Sequence, residues 1–256
     1  MMLTGNKEIT KSFGYVLDLV YPRRCPVCDG VIAPFSFVKG ELKRGPLIHG
    51  ECEKKLRHIK GATCLKCGKR LSKAERDEEY CVDCRKHRHL FDRGFSLFEY
   101  RSVSGSIYRF KYAGRREYAE YYAKVAAGRY GKRLKSLGIE AIIPVPMYEK
   151  KQNTRGYNQA EVFGKRLSEE LGIPMYSNVI RRVRNTLPMK NLDVRGRRNN
   201  LKKAFNIVRN DVKFRCILII DDIYTTGSTV NEIAQEFHLT GTDRVYVLTL
   251  AIGQTT

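Results

Sequence analysis

Most of the cysteines lie in the first third of the chain, in pairs with the spacing of metal ligands. Seven of the eight fall between residues 25 and 84. Three Cys-x-x-Cys pairs and one His-x-x-Cys pair share this spacing, namely Cys25 and Cys28, His49 and Cys52, Cys64 and Cys67, and Cys81 and Cys84. Two intervening residues let a tight turn aim both side chains at one ion, and four such ligands complete a tetrahedral zinc site.

The four pairs predict two closed Zn²⁺ sites. The simplest pairing joins pairs that are consecutive in the chain, so that one site holds Cys25, Cys28, His49 and Cys52 and the other holds Cys64, Cys67, Cys81 and Cys84. Because protein ligands fill all four positions, we expect both sites to be structural rather than catalytic. The first site depends on His49, for which His58, His87 and His89 are alternatives.

Disulfides and redox-active pairs are the competing interpretations of these cysteines. A reducing compartment argues against disulfides. A redox pair needs a thioredoxin-like βαβ context, which this Gly- and Lys-rich segment lacks. Cys216 stands apart at the start of an apolar run, and we expect it to be a small buried side chain.

A second group of polar residues follows the apolar run that Cys216 begins. Asp221 and Asp222 come directly after this run, and the small residues that follow are Thr225, Thr226, Gly227, Ser228 and Thr229. Open α/β sheets bind ligands at the carboxyl ends of their strands. Small residues before a helix bring backbone N–H groups and hydroxyls to a phosphate. Carboxylates beside such a loop suit vicinal hydroxyls or Mg²⁺, so the order of residues predicts a site for a ribose 5-phosphate.

Other phosphate-binding motifs do not fit this stretch. A Walker A loop requires Gly-Lys-Ser/Thr, and a dinucleotide fingerprint requires three spaced glycines, whereas only Gly227 occurs here. A simple helix N-cap explains a Ser or Thr before the helix but leaves the paired carboxylates unexplained.

The elements that position these residues predict an α/β fold with a mostly parallel sheet. Apolar β-branched runs alternate with helical patterns after about residue 92; the strands are residues 140–146, 216–222 and 245–251, and the helices are residues 118–134, 158–172 and 229–241. A short helix is expected at 12–21. We place an N-terminal helix and double zinc-ribbon module at 1–92 and the α/β domain at 93–256. The module has too few apolar residues to build a core alone.

The charge of the chain points to an anionic partner. Its 48 Lys and Arg residues outnumber 27 Asp and Glu, giving a net charge of +21, which favours nucleic acid or phosphorylated ligands. No run approaches the ~20 apolar residues of a membrane span. The first residues lack an apolar signal core, so a cytoplasmic location without membrane insertion is expected.

These motifs together resemble one family. "LIIDDIYTTGST" resembles the phosphoribosyl pyrophosphate (PRPP) signature of type I phosphoribosyltransferases. The cysteine module, "PVP" at 144–146 and "TRGYNQAE" at 154–161 narrow the resemblance to the competence-associated ComF family, over nearly the whole chain. The fold implied is a sheet of the type I phosphoribosyltransferase kind behind a double zinc ribbon.

The resemblance also implies roles for particular residues. Asp221 and Asp222 would contact the ribose hydroxyls of PRPP, with Mg²⁺ bound alongside. Residues 225–229 would surround the 5-phosphate. The turn at 144–146 would begin the loop that holds pyrophosphate, and Arg155 would add charge there, since its planar fork suits phosphate oxygens.

A basic segment and a set of tyrosines are candidates for nucleic-acid binding. Residues 181–203 carry nine Lys and Arg against one Asp, and the arginines expected to contact DNA are Arg181, Arg182, Arg184, Arg195, Arg197 and Arg198. Several tyrosines nearby in sequence could stack on bases. Their helical spacing favours core packing for most of them; they are Tyr108, Tyr112, Tyr121 and Tyr122.

Three functions remain open from the sequence. The favoured one is PRPP recognition combined with single-stranded DNA binding during DNA uptake, which the family's link to competence supports. An active phosphoribosyltransferase is the second, although no acceptor nucleophile or general base is identifiable. The third is an adaptor whose zinc ribbons dock a partner such as a DNA-translocating helicase.

Overall fold

A four-stranded parallel sheet forms the centre of the computed structural model, which describes residues 18–184, 201, 203–208 and 213–253. Its strand order is β3-β8-β7-β4. These strands are β3 (Arg93–Glu99), β4 (Ala141–Pro144), β7 (Cys216–Tyr224) and β8 (Arg244–Ile252). Strands β7 and β8 are apolar and buried almost throughout, as expected where helices cover both faces of a parallel sheet.

Helices connect and cover the strands. The long ones are α3 (Tyr100–Tyr112), α4 (Tyr118–Ser136), α6 (Gln159–Leu171) and α7 (Ser228–Leu239), and α5 (Glu149–Arg155) is shorter. The helices predicted at 118–134, 158–172 and 229–241 are confirmed by α4, α6 and α7. Gly172 ends α6 in the left-handed conformation, and the buried Asn158 side chain caps its start.

Within its described residues, 18–92, the N-terminal module contains only short elements. They are β1 (Phe35–Val38), β2 (Glu41–Arg44), α1 (Gly50–Glu53) and α2 (Val82–Lys86), with a 3-10 turn at Lys73–Glu75. Strands β1 and β2 form an antiparallel hairpin. A second hairpin, β5 (Ile180–Arg182) with β6 (Phe205–Ile207), lies outside the module. Of the helix expected at 12–21, the described residues 18–20 are helical and residues 12–17 lie outside the described part of the chain.

The module packs directly onto the sheet. Backbone hydrogen bonds join residues 57–59 to the edge of β3, and Gly94 approaches Cys67 so closely that a Cβ atom would lie 2.8 Å from the Cys67 carbonyl oxygen. Asp29 accepts from the Arg115 guanidinium and the Tyr118 hydroxyl at the start of α4. Buried residues of the module also belong to the same apolar clusters as the sheet. The domain boundary at 92/93 stays a prediction.

Strand β7 is longer than the sequence predicted. We expected it to end at the two aspartates, but its pairing with β8 continues through Asp221 opposite Thr249 to Tyr224 opposite Ile252. The aspartates therefore lie within the last residues of the strand, partly buried. The small-residue loop begins directly at Thr225.

Candidate functional site

The first predicted metal cluster is assembled as its spacing indicated. The ligand atoms of Cys25, Cys28, His49 and Cys52 all lie within 4.8 Å of one another. His49 Nδ1 is 3.3 Å from Cys28 Sγ, while His49 Nε2 lies 3.1 Å from the Val31 carbonyl oxygen. A proton on Nε2 donated to that carbonyl leaves the Nδ1 lone pair for a metal, which is the usual outer arrangement around a metal-bound histidine.

The second cluster is equally compact and more deeply buried. Cys64, Cys67, Cys81 and Cys84 also have their sulfur atoms within 4.8 Å of one another, and Cys67 Sγ lies 3.7 Å from Cys81 Sγ. The turn after Cys64 is closed by Gly68 N–H donating to the Cys64 carbonyl. Gly68 has φ of 75° and a Cβ there would lie 2.5 Å from the Gly94 carbonyl oxygen, so this position requires glycine.

Both clusters fit zinc. Sulfur ligands about 2.3 Å from a tetrahedral ion are separated by about 3.8 Å, close to the spacing seen here. All eight cysteines are free thiols, and Cys216 is buried as predicted. The alternative histidines lie elsewhere, since His58 packs on Phe98 and His89 packs on Phe91. The donor sets support two structural zinc sites.

The paired carboxylates lie near the carboxyl end of β7, just past its pairing with β4 and still within its pairing with β8. Asp222 forms an ion pair with Lys111, in which Asp222 Oδ2 lies 2.7 Å from Lys111 Nζ, and both side chains are 18% exposed. The Asp221 carboxylate turns back and accepts from the Asp222 backbone N–H at 2.8 Å. The carboxylates therefore face different partners, one a cation on α3 and the other the strand itself.

The electrostatics of this pair are unusual for a strand end. Burial, followed by repulsion from Asp222, raises the pKa of Asp221 to about 7. One side of Asp221 is open to water, but the atoms crowded around its carboxylate remove most of its hydration. Burial lowers the pKa of Lys111, but its ion pair with Asp222 outweighs this and the net pKa is raised. Lys111 therefore places a positive charge directly beside the Asp222 carboxylate.

The 225–229 loop, here called the phosphate loop, forms a concave surface beside Asp221. Asp221, the phosphate loop and Thr249 line a small pocket that is open to solvent. Gly227 has φ of 73°, and a Cβ on it would lie 2.5 Å from Tyr224 Oη and 3.1 Å from His89 Cε1. Its backbone therefore rests against these rings as the chain enters α7, whose N-terminal N–H groups favour an anion.

Basic side chains gather beside the carboxylates. The Arg155 guanidinium lies 4.7 Å from the Tyr112 ring centroid and donates to Gln159 Oε1 at 2.6 Å. Burial, then the charges of Arg182 and Arg155, lower the pKa of Lys151. Arg155 does not line the cavity itself. It contacts Tyr112, the residue that follows Lys111 on α3.

The predicted nucleic-acid residues divide into three groups. Arg181 and Arg184 are exposed at hairpin β5–β6. Arg182 is partly buried, and its guanidinium lies 5.5 Å from the Phe205 ring centroid. Burial lowers the pKa of Arg182, and the smaller, opposite effect of the Asp221 charge does not cancel it. Arg195, Arg197 and Arg198 lie outside the described residues.

Two residues of this region escaped the sequence reasoning. Lys111 is separated from Asp222 by more than one hundred residues, so only the fold brings them together. His89 was considered only as an alternative zinc ligand, yet its Nδ1 lies 3.0 Å from Asn231 Nδ2 on α7. The sequence offered one local indication of Lys111, which is its position as a charged residue between the aromatic residues Phe110 and Tyr112 in a helical pattern.

The fold and the clusters define an α/β protein that carries an N-terminal double zinc ribbon. In agreement, the family described as "Double zinc ribbon domain" matches residues 16–85. Competence protein F of Haemophilus influenzae is 34% identical over 206 residues, which cover 78% of this chain and 88% of the relative. The chain belongs to the ComF family.

Further relatives carry similar names. The DNA utilization protein YhgH of Salmonella typhi is 32% identical over 159 residues, covering 60% of this chain and 70% of the relative. Competence protein ComFC of Bacillus subtilis is 26% identical over 201 residues, covering 76% and 79%. In the part of the chain that the structure describes, no helix is long and apolar enough to cross a membrane.

Proposed function

We propose that this protein binds PRPP, or a related ribose 5-phosphate, together with single-stranded DNA, and acts in DNA uptake. The observation that carries the first part is the cavity shared by Asp221 and the phosphate loop. Backbone and hydroxyl donors of the loop beside the partly buried Asp221 carboxylate suit one ligand that has both a phosphate and vicinal hydroxyls.

Each part of the ligand would meet a different part of the site. Thr225, Thr226 and the N-terminal N–H groups of α7 would hold the 5-phosphate, and the aspartates would accept hydrogen bonds from the ribose hydroxyls. Mg²⁺ bound with the ligand would neutralise the pyrophosphate oxygens. Arg155 and Lys151 extend the positive side of the site toward that pyrophosphate.

Lys111 holds Asp222 ready for this ligand. Its ammonium compensates a carboxylate that would otherwise repel Asp221 at close range. When the ligand is bound, Lys111 would hold the Asp222 carboxylate in a fixed orientation toward a hydroxyl.

The DNA part of the proposal rests on charge and on the relatives. Proteins named for competence and for DNA utilization are similar to this chain over most of their length. A net charge of +21 and the exposed Arg181 and Arg184 supply contacts for a phosphate backbone. Such binding would show little sequence preference and a steep dependence on salt.

Calorimetry with fragments of the ligand tests the PRPP assignment. We expect PRPP with Mg²⁺ to bind more tightly than ribose 5-phosphate, and ribose 5-phosphate more tightly than inorganic phosphate, because each step adds contacts in a separate part of the site. Equal affinities for PRPP and inorganic phosphate would show that only a general anion site is present.

A further inference from the structure

Two tyrosines of α3 form an exposed aromatic surface beside the carboxylates. Tyr108 and Tyr112 are 63% and 62% exposed, and their ring centroids lie 5.0 Å apart, one helical turn along the same face. In contrast, Tyr121 and Tyr122 of α4 are buried in the core. Core packing therefore does not account for the α3 pair.

A guanidinium extends this aromatic surface. Arg155 lies 4.7 Å from the Tyr112 ring centroid, in the range of a cation–π contact, and its hydrogen bond to the buried Gln159 fixes it there. We call Tyr108, Tyr112 and Arg155 the stacking platform. The two rings, tilted by 49° to each other, and the guanidinium offer stacking area at small cost in side-chain entropy.

Positive charge surrounds the stacking platform. Arg116 is exposed and lies over the Tyr157 ring at 4.5 Å, and Lys151 on α5 lies close enough to Arg155 for the two charges to interact. Lys111, the residue before Tyr112, pairs with Asp222, so the platform lies on the same helix as the cation that contacts this carboxylate. Exposed aromatic rings set among basic side chains are the pattern of single-strand binding surfaces, where phosphates meet cations and bases stack on rings.

We propose that the stacking platform of Tyr108, Tyr112 and Arg155 binds a base of single-stranded DNA. This inference rests on the proposed function and adds a contact that charge alone does not supply. The occupant is a base on a phosphate chain rather than an apolar protein segment, because the charged side chains next to the platform, Arg116 and Lys151, are cationic. The contact is sequence-tolerant, since every base has a π face.

The experiment compares an oligodeoxythymidylate with an abasic deoxyribose-phosphate chain of the same length. Both carry the same charge, so their difference in affinity isolates the bases. We expect the parent protein to prefer the base-bearing strand by roughly tenfold. Tyr108→Leu/Tyr112→Leu should abolish this preference and leave the salt dependence of binding unchanged, because stacking releases no counterions. Tyr100→Leu, at the opposite end of α3, is the matched control and should keep the preference.

The outcomes separate this inference from the proposed function. A parent that binds both strands equally, or a double variant that keeps the preference, overturns the platform while DNA binding stands. A parent that binds neither strand overturns both. If the double variant loses affinity for PRPP and not for DNA, the platform belongs to a small ligand and the inference is wrong.

A reporter provides an independent readout. The chain contains no tryptophan, so Tyr108→Trp introduces a single one. We expect the base-bearing strand to quench its fluorescence and the abasic strand to leave it nearly unchanged. Equal quenching by the two strands would contradict stacking.

Discussion

At the scale of single residues, the site places charged side chains in a partly buried environment. Asp221 and Asp222 are adjacent acids on a strand that is otherwise apolar, and within the described residues only Asp222 forms a direct ion pair, at 2.7 Å from Lys111 Nζ. Asp221 is left with a raised pKa near 7. Such a perturbation at a strand end costs stability and is typical of a functional position.

The raised pKa of Asp221 predicts how stability depends on pH. In the folded state Asp221 holds its proton up to about pH 7, whereas in the unfolded chain it releases the proton near its ordinary pKa of 3.8, so this group's contribution to stability falls as the pH rises through that window. Asp221→Asn should therefore gain in melting temperature over the parent between pH 5 and pH 8, by about 3 °C or more. Asp243→Asn, at an exposed acid, is the matched control. A difference that does not grow with pH would show that Asp221 is not buried as described.

The Lys111–Asp222 pair predicts a coupling between distant positions. Lys111→Met leaves a carboxylate beside Asp221 without its cation, and we expect a loss of about 2 kcal/mol in the free energy of unfolding. Adding Asp222→Asn should restore much of it, since the uncompensated charge is then gone. Denaturant unfolding of the four proteins of this cycle measures the coupling. Strictly additive losses would show that the two side chains do not interact.

At the scale of elements, the second metal cluster lies behind the phosphate loop. Cys67 and Cys84 line one wall of an enclosed space whose other wall includes Tyr224 and Thr225. His89 bridges the two by contacting Asn231 on α7 and lying against Gly227. The folded zinc ribbon therefore contacts the phosphate loop and α7, and these contacts help to hold the loop in its conformation.

Gly227 allows a test with an internal control at the other end of α7. Gly227→Ala introduces backbone strain and a clash with Tyr224, so we expect a loss of about 2 kcal/mol or more in stability and weaker phosphate binding. Gly241 also has a positive φ, but nothing lies within 4 Å of its missing Cβ. Gly241→Ala should cost only about 1 kcal/mol and leave PRPP affinity unchanged. Equal effects of the two variants on PRPP affinity would contradict the role of the loop.

Much of this arrangement follows from local sequence patterns, and the remainder depends on the fold. Ligand spacing predicted both cysteine clusters, and the run of small residues predicted a turn leading into a helix at 225–229, because each is encoded within a few turns of chain. The ion pair of Lys111 joins segments far apart in sequence, which no local pattern reports. Helical spacing correctly placed Tyr121 in the core, but the same spacing could not show that Tyr108 faces solvent.

At the scale of the whole molecule, zinc and the sheet share one folded unit. Residues of both metal clusters belong to the apolar clusters that cover the sheet. A small, metal-stapled segment of this kind gains its stability from the ion and from the surface it covers. Loss of metal should therefore lower the stability of the sheet as well as that of the zinc ribbon.

Metal content and thermal unfolding test this view. We expect about two zinc ions per chain by elemental analysis, from two sets of four ligands. Strong chelation should lower the melting temperature of the whole chain, with no surviving transition at the parent's temperature. Cys216→Ser, which changes a cysteine outside both clusters, should keep the full zinc content. One zinc per chain would exclude the site that contains His49.

Calorimetric titration with PRPP and Mg²⁺ tests the central claim most directly. Asp221→Asn/Asp222→Asn should weaken PRPP binding by roughly 2 kcal/mol or more, about thirtyfold, because charged hydrogen bonds to the ribose are lost. Asp243→Asn should bind as the parent does, and single-stranded DNA affinity should change little in either variant. Unchanged PRPP affinity in the double variant would contradict the assignment of the carboxylate site.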